Sequence, residues 1–553
     1  MTDSPTDNRN TNISRWVRRF LVVAVLLVAF ALRLHGVDFG LPALNDPDEP
    51  LFMMTAFEML AKGSFNPEWF GHPATTTLYG LALVMLGVAV VGIGSGRFAD
   101  VEAFGKAAYL DPGLVWLPAR EFIAVCGVIC VLLVYRIGKR LAKENGGGER
   151  MGLVAALFLA VNAVHIEYSQ IIRTDVMATV FMLLATLSAL AILREGRLRD
   201  YVLAGVFVGV ACATKWPAAL VGASAICAGF YRLRQGHREW SRLAALAIAA
   251  PVTLFVVSPY LLLDYQTVVY NLSHEARSFH PGSTGGGFLP NLVWYVTDPL
   301  LTSLGWAGLA IALVGMVWPL RRDWAVAVLP GALIYLVSIC AQALIWERWI
   351  VPLLPFAALA AARALFALGG LIRARFDRPL PWIEAVAALA LIVPMLDAAR
   401  ISVTERTHDT RQAAGAWARA HIPAGRTILI EHAGFDLMQG GWQFRFPLGS
   451  AGCVDARAML SGSIRYSEVE QRRTGSPIVD LGYVDPKLLP TCRADYAIVT
   501  HYDRYLAEPA HFGAEIESYR RVLAGGRERA VFRPVPGASS GPIVRIVELA
   551  PPR

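Results

Sequence analysis

Apolar blocks long enough to cross a bilayer recur along most of the chain, and they leave few folds open. In lipid, a block of roughly 16–24 apolar residues has no water to pair with and must close its own hydrogen bonds as a helix. Such blocks lie at roughly 17–35, 118–138, 151–168, 176–194, 201–215, 217–231, 243–263, 296–318, 324–345, 350–371 and 382–398. Of the 553 residues, 55% are hydrophobic and only 17% charged, too apolar for a soluble protein of this size. The pattern predicts a polytopic α-helical membrane protein with about 11 transmembrane helices. The first block follows the basic "RWVRRF", a combination that a signal peptide shares. No small-x-small cleavage site stands before the acidic cluster that follows, so the block is expected to stay as the first helix. The net charge of +8 then reads as arginines in cytoplasmic loops, and nucleic acid is not expected as a partner.

A further apolar stretch, "ATTTLYGLALVMLGVAVVGIG" from Ala74, is long enough to cross as well. Loop charges bear on it. The basic loops are 136–150, 194–200, 231–242, 321–323 and 373–378. With eleven spans and a cytoplasmic N-terminus all five face inside; if 74–94 also crosses, all five face outside, against the positive-inside bias. Residues 74–94 are therefore expected to be re-entrant, or to lie in or against the interface. The first outer loop (36–117), the turns at 165–175, 214–217 and 346–349, the loop 264–295 and the tail from 399 then share one side. The chain divides into a membrane domain, 1–398, and a soluble α/β domain, 399–553. In the tail, "HDTRQAAGAWARAHIPAGRTILIEHAG" predicts a helix capped by Asp409, a turn and a buried strand. "ADYAIVTHYDRYLAEP" predicts a strand and a helix, and "PIVRIVELAPP" a last strand. Cys453 and Cys492 lie in this tail and are able to pair only in an oxidising compartment. The other five cysteines fall in apolar blocks.

Polar residues concentrate in the outer segments. "DPDEP" sets Asp46, Asp48 and Glu49 around two prolines, Pro47 and Pro50, just past the first helix. The plain reading is a solvated loop with turn punctuation. The next segment, "LFMMTAFEMLAKGSFNPEWFGHPATTTLYG", reads as an interface-lying helix and a His-Pro turn at His72, which holds the acids at headgroup depth. The turn "HIEYSQIIRTDV" carries His165, Glu167, Tyr168, Ser169, Gln170, Arg173 and Asp175, where helix caps need only one or two polar residues. Lys215 in "ATKWPAAL", Glu347 and Arg348 in "WERW", Arg120 near the start of its span, and Asp264 add to the same side. After Asp264 the loop runs through His274, Glu275, Arg277 and His280 into a Gly-rich stretch at 282–287 suited to gating. Carboxylates and cations thus converge on one membrane face. Cations neutralise a polyprenyl phosphate leaving group, and a carboxylate takes the proton of an attacking hydroxyl. Phosphate is a weak base and leaves without a general acid, so one carboxylate suffices for direct displacement, with inversion at the sugar carbon. A lipid-linked sugar flippase or transporter is the alternative, but it places charges mid-span along a path. A lipid phosphotransferase needs acids that hold a metal.

These segments together resemble the GT-C glycosyltransferases, in particular the bacterial protein O-mannosyltransferase and aminoarabinose transferase-like group (glycosyltransferase family 39 type). The resembling residues are "DPDEP", "HPATTTLYG", the span from Arg120 to "VYRIGKRLA", "SQIIRTD", "TKWPAAL", "SPYLLLD" and "ERWIVPLLP", over most of residues 30–360. The resemblance implies a polyprenyl-phosphate-linked sugar donor, an acceptor glycan, lipid or protein, and a site facing outward from the bacterial cytoplasmic membrane, with the C-terminal domain periplasmic. It implies Asp48 as catalytic base, Glu49 and Asp175 as the accompanying acids, and Lys215 and Arg348 on the lipid phosphate. His72, Arg120, His165, Tyr168, Arg173 and Asp264 complete the expected substrate-binding set. The family's "HPP" is "HPA" here. No cofactor is expected to be required; a divalent cation, Mg²⁺ or Mn²⁺, would fall to Asp48, Glu49 and Asp175.

Overall fold

The structure, a computed structural model, describes residues 5–142, 148–275, 278–376, 382–431, 437, 440–455, 457–458 and 480–550. Among them seven helices are long and apolar enough to cross a membrane: Thr75–Gly94, Gly113–Leu141, Asp175–Arg194, Trp240–Val257, Phe288–Val317, Glu347–Phe376 and Ile383–Thr407. The N-terminal helix, Pro5–Leu34, packs against Gly113–Leu141. Several expected spans are built from shorter pieces. Gly148–Ala160 stops where Asn162 caps the short helix Ala163–Tyr168. Leu198–Thr214 stops at Lys215, where Trp216-Pro217 starts a 3₁₀ turn, Trp216–Val221, that feeds Gly222–Arg234. Asn162 ends the first by taking the His165 N–H with its side chain, and Pro217, which disfavours helical backbone in the residue before it, marks the second break. The last membrane helix runs on to Thr407, so the tail fold starts at Asp409 and not at 399.

Helices approach closely where side chains are small, the packing expected when lipid offers no hydrophobic drive between them. A Cβ on Gly315 would stand 1.9 Å from the Ala360 carbonyl oxygen, which fixes Phe288–Val317 against the helix of Leu354–Phe376. The helix Thr75–Gly94 is unbroken, so the re-entrant alternative is corrected: no residue inside it interrupts the hydrogen-bond ladder. It starts beside Thr214, with Ala74 N–H on the Thr214 carbonyl at 3.2 Å and the Thr76 and Thr214 hydroxyls 2.6 Å apart. Its buried residues share a cluster with Leu114, Val115, Trp116, Ala119 and Phe122, and with no deeper residue of Gly113–Leu141. That packing lies at the N-terminal end of its neighbour.

The tail folds as a mixed sheet of β1 (Thr427–Ile430), β2 (Gln443–Pro447), β3 (Cys453–Asp455), β4 (Tyr496–Val499), β5 (Arg527–Phe532) and β6 (Val544–Glu548), in the order β3-β2-β1-β4-β6-β5. β1 runs parallel to β2 and β4; the remaining pairs are antiparallel. Alternation along β1 sends Ile428 and Ile430 to the face covered by helix Thr410–His421, and Leu429 to the face covered by Gly513–Leu523. Asp409 caps Thr410–His421 as the sequence predicts, accepting from Arg411 N–H at 2.8 Å. Cys453 and Cys492 are joined in a disulfide.

Candidate active site

The acidic loop becomes a site through its distant partners. Asp46 accepts the backbone N–H groups of Asp48 (3.0 Å) and Glu49 (3.2 Å), which starts the helix Glu49–Lys62. The same carboxylate takes both bonds of Arg173 Nη2, at 2.9 and 3.1 Å. Asp46, the least constrained of the three acids in sequence, is therefore a cap and a clamp. The helix it starts buries Phe52, Met53, Ala56 and Met59 and leaves Leu51, Met54, Phe57 and Leu60 uncovered by protein. One helix with two apolar faces fits the predicted place at the interface.

Glu49 turns inward. Arg120 forks onto it, Nε to Oε1 at 2.9 Å and Nη2 to Oε2 at 2.6 Å, and both side chains are wholly buried. Ile172 N–H adds a third bond to Glu49, and Arg120 also donates to the Val37 and Phe39 carbonyls. The bonds of both groups run to protein partners, out of contact with solvent. The pair ties the acidic loop, the start of Gly113–Leu141 and the 165–175 turn into one block.

Asp48 is the acid that stays open, with a side chain 38% exposed. Its Oδ2 accepts from Arg173 Nη1 and, at 2.8 Å, from Arg348 Nη1. Burial raises its pKa, but the two guanidinium groups outweigh it and hold the carboxyl below the usual carboxylate range. Arg348 is itself set by stacking, its Cζ 4.7 Å from the Trp346 ring centroid. Opposite stands Asp175, bound by Lys215 Nζ, with both side chains almost wholly buried. Between the two pairs lies His72, in reach of the charges of Asp48, Arg348, Asp175 and Lys215. Burial and the nearby cations push its pKa down to about 3, so the imidazole is neutral.

Comparison with known proteins bears on this arrangement. The family model for dolichyl-phosphate-mannose-protein mannosyltransferases matches residues 115–263. No curated protein matches the chain by sequence. Among solved structures, ArnT from Cupriavidus metallidurans in its apo state is similar over 97% of this chain and 98% of its own, with a TM-score of 0.51 and 17% identity. The same protein bound to undecaprenyl phosphate is similar over the same shares, with a TM-score of 0.50 and 18% identity. The chain has the GT-C fold.

Within this GT-C fold the expected residues separate into those around the site and those beneath it. Asp48, His72, Arg173, Asp175, Lys215 and Arg348 come together. Tyr168 stands nearby, its hydroxyl donating to Glu347 Oε2 at 3.2 Å, with Arg173 and Arg348 in electrostatic reach. His165 does not reach the site: it is wholly buried, its Nδ1 2.8 Å from Arg33 Nη2. Arg33 also donates to the Leu159 and Ala160 carbonyls and to Ser169, so His165 helps lock the first helix to the 159–169 segment. Among the described residues Asp264 meets no cation; it accepts from Asn66 Nδ2 (2.9 Å) and Thr267 (2.7 Å) and ties the 63–74 loop to the start of Tyr265–Glu275. The Gly-rich stretch is pinned by Gly285 N–H to the Ala343 carbonyl, Ile345 N–H to Ser283, and Gly282 N–H to Glu508 of the tail. Residues 276–277, including Arg277, and the side chains of His274 and Glu275 lie outside the described residues. Sequence reading passed over Arg33 inside an apolar block and Arg406 at the end of the last membrane helix. Arg406 binds Glu167 and Gln170, and a buried arginine in an apolar run is itself a signal of a structural partner.

Asp48, Glu49 and Asp175 are the acids to which a divalent cation would fall. Each already carries its own cation: Arg120 on Glu49, Arg173 and Arg348 on Asp48, and Lys215 on Asp175. Among the described residues no group of three or more His, Cys, Asp or Glu side chains is placed to hold a metal ion.

Proposed function

We propose that this protein is an inverting glycosyltransferase that moves a sugar from a polyprenyl-phosphate donor to an acceptor hydroxyl. The reaction takes place at the outer face of the bacterial cytoplasmic membrane, with the N-terminus inside and the tail outside. The observation that carries the reading is Asp48: an open carboxylate beside a membrane-embedded helix bundle, flanked by two arginines able to take a phosphate. The GT-C fold, the mannosyltransferase family match and the undecaprenyl phosphate bound by the similar ArnT support the donor class. The five basic loops and the Cys453–Cys492 disulfide support the orientation.

Asp48 takes the proton of the acceptor hydroxyl while that oxygen forms its bond to the sugar carbon. The bond from that carbon to the phosphate oxygen breaks, and the phosphate leaves with the electron pair. A carboxylate held by two arginines is a weak base. The donor phosphate competes for Arg348 and Arg173, and their turning toward it frees Asp48 to accept a proton when the donor is in place. Metal chemistry is not needed for this step, because the arginines supply the charge. Glu49 and Arg120 brace the loop that carries the base. The neutral imidazole of His72 offers a hydrogen bond without adding a charge.

The test is transfer by the purified chain in lipid nanodiscs. Polyprenyl-phosphate-linked sugars are supplied against nucleotide sugars, and released polyprenyl phosphate is measured. Release from the lipid donor alone is expected. Movement of the intact sugar lipid between leaflets without release would instead establish the transporter.

A further inference from the structure

Tyr335 lies on the helix Leu329–Cys340 with 1% of its surface exposed, and its hydroxyl has no hydrogen-bond partner among the described residues. Buried hydroxyls are almost always paired, so an orphan of this kind faces something the chain does not itself supply. Tyr335 is not alone. The Thr174 hydroxyl, the Trp216 indole N–H and Nδ1 of His72 are buried and likewise without partners among the described residues. Thr174 and Trp216 adjoin the two members of the Asp175–Lys215 pair in sequence. Tyr335 and His72 both lie in electrostatic reach of Asp175. The helix of Tyr335 packs on the Trp216–Val221 turn and on the Glu347–Leu353 turn that carries Arg348. These four orphans therefore belong to segments that meet around one ion pair at the edge of the site.

The chemistry of this wall is mixed. It presents a carboxylate acceptor, an indole donor, a neutral imidazole and two hydroxyls that serve either way. A phosphate accepts only, and a wall with a carboxylate at its centre is poorly suited to it; the arginines at Asp48 suit it better. A sugar hydroxyl both donates and accepts, and needs both kinds of partner together. Lys215 occupies Oδ1 of Asp175 and leaves Oδ2 for another group.

We propose that Tyr335 and Asp175 hold a hydroxyl of the sugar carried by the lipid donor, Tyr335 donating to it and Asp175 accepting from it. This rests on the donor reading above and adds the sugar subsite. Tyr335 is thus a specificity residue, apart from the groups that bind phosphate.

The test uses Tyr335→Phe in the full chain, which removes the hydroxyl alone. Binding of undecaprenyl phosphate and of undecaprenyl phosphates bearing a hexose or a pentose is measured in nanodiscs, beside the melting temperature. The wild type is expected to bind one sugar-bearing lipid more tightly than the bare lipid. In Tyr335→Phe that binding is expected to weaken about tenfold, the worth of one well-placed hydrogen bond. Bare undecaprenyl phosphate should bind within about twofold of wild type and the melting temperature should hold, because the hydroxyl leaves no protein partner behind. Equal weakening for both lipids would assign the hydroxyl to the phosphate and overturn the proposal, as would no change for either. A fall of several degrees in melting temperature would assign it a structural role and overturn the proposal too. Wild type that binds bare lipid phosphate but prefers no sugar-bearing form would overturn the donor reading itself.

Discussion

Arg348 Nη1 donates to Asp48 Oδ2 at 2.8 Å and closes a contact between residues 300 positions apart. The bond joins the acidic loop after the first helix to the turn that opens the Glu347–Phe376 helix. Through Trp346 it extends outward: the Trp346 ring holds the Arg348 guanidinium on one side and meets the His280 ring, 4.8 Å away, on another. The loop of His280 is in turn stacked on the tail, Phe279 against His511 at 4.2 Å. Asp48 thus sits at one end of a chain of contacts reaching the C-terminal sheet domain.

Replacing Arg348 tests the proposed role of its charge toward the leaving group. Arg348→Lys keeps the charge but loses the fork and the stacking on Trp346; kcat/KM for the lipid donor should fall about 10- to 100-fold. Arg348→Met should lose about 1,000-fold. Steady-state transfer with a labelled donor checks both, and near-wild-type activity in Arg348→Met would remove the arginine from the reaction.

Glu49 and Arg120 should report in stability. Glu49→Gln leaves a fully buried guanidinium without its counter-ion, and breaking such a pair costs about 3–5 kcal/mol. A melting temperature lower by several degrees in detergent is expected. Replacing both, Glu49→Leu with Arg120→Met, should recover part of that loss but not all, because Arg120 also satisfies the Val37 and Phe39 carbonyls. A double variant less stable than Glu49→Gln would contradict the pairing.

The tail carries a pH-dependent element of its own. Asp480 is buried beside Glu431, and burial raises its pKa to about 6 although Tyr505 Oη donates to it at 2.6 Å. A folded pKa above the unfolded value means that the native state binds the extra proton. The stability from this group is full below about pH 4 and is lost as pH rises toward and past 6, by about 3 kcal/mol across the window. Asp480→Asn keeps an acceptor for Tyr505 and removes the charge. Melting temperatures from pH 4 to 8 should show a flatter profile in the variant, with the variant the more stable at pH 7. A variant with the wild-type slope would exclude Asp480 as the source.

Chelation should leave transfer intact, since each site carboxylate already faces its own cation. Activity after EDTA treatment and desalting is expected to stay within about twofold of the untreated enzyme, a change too small for loss of a charge-stabilising metal. A loss restored by Mg²⁺ or Mn²⁺ would contradict the account of the leaving group.

The fold was legible where one segment decides its own structure. Apolar length marked the long helices, and Asp409 marked the capped start of Thr410–His421. The outer placement of the polar turns gathered Asp48, Arg173, Asp175, Lys215 and Arg348 before any contact was known. Sequence could not say which acid meets which cation, because those choices are made in three dimensions. Glu49 and Arg120 are 71 positions apart and Asp46 and Arg173 are 127, and no local spacing distinguishes them from Asp48. His165 looked like a site residue because its partner, Arg33, lay inside an apolar block. β2, β3 and β5 were missed: the first two are short, and β5, "RERAVF", opens on charged residues that give it no apolar alternation to read.

The central claim is that Asp48 is the base, and Asp48→Asn tests it most directly, with donor binding and transfer measured on the same preparation. The amide keeps the shape and an acceptor oxygen but cannot take the acceptor's proton. The account predicts transfer lowered by about 100- to 10,000-fold, with undecaprenyl phosphate still bound and the melting temperature close to wild type. Transfer at the wild-type rate would contradict it.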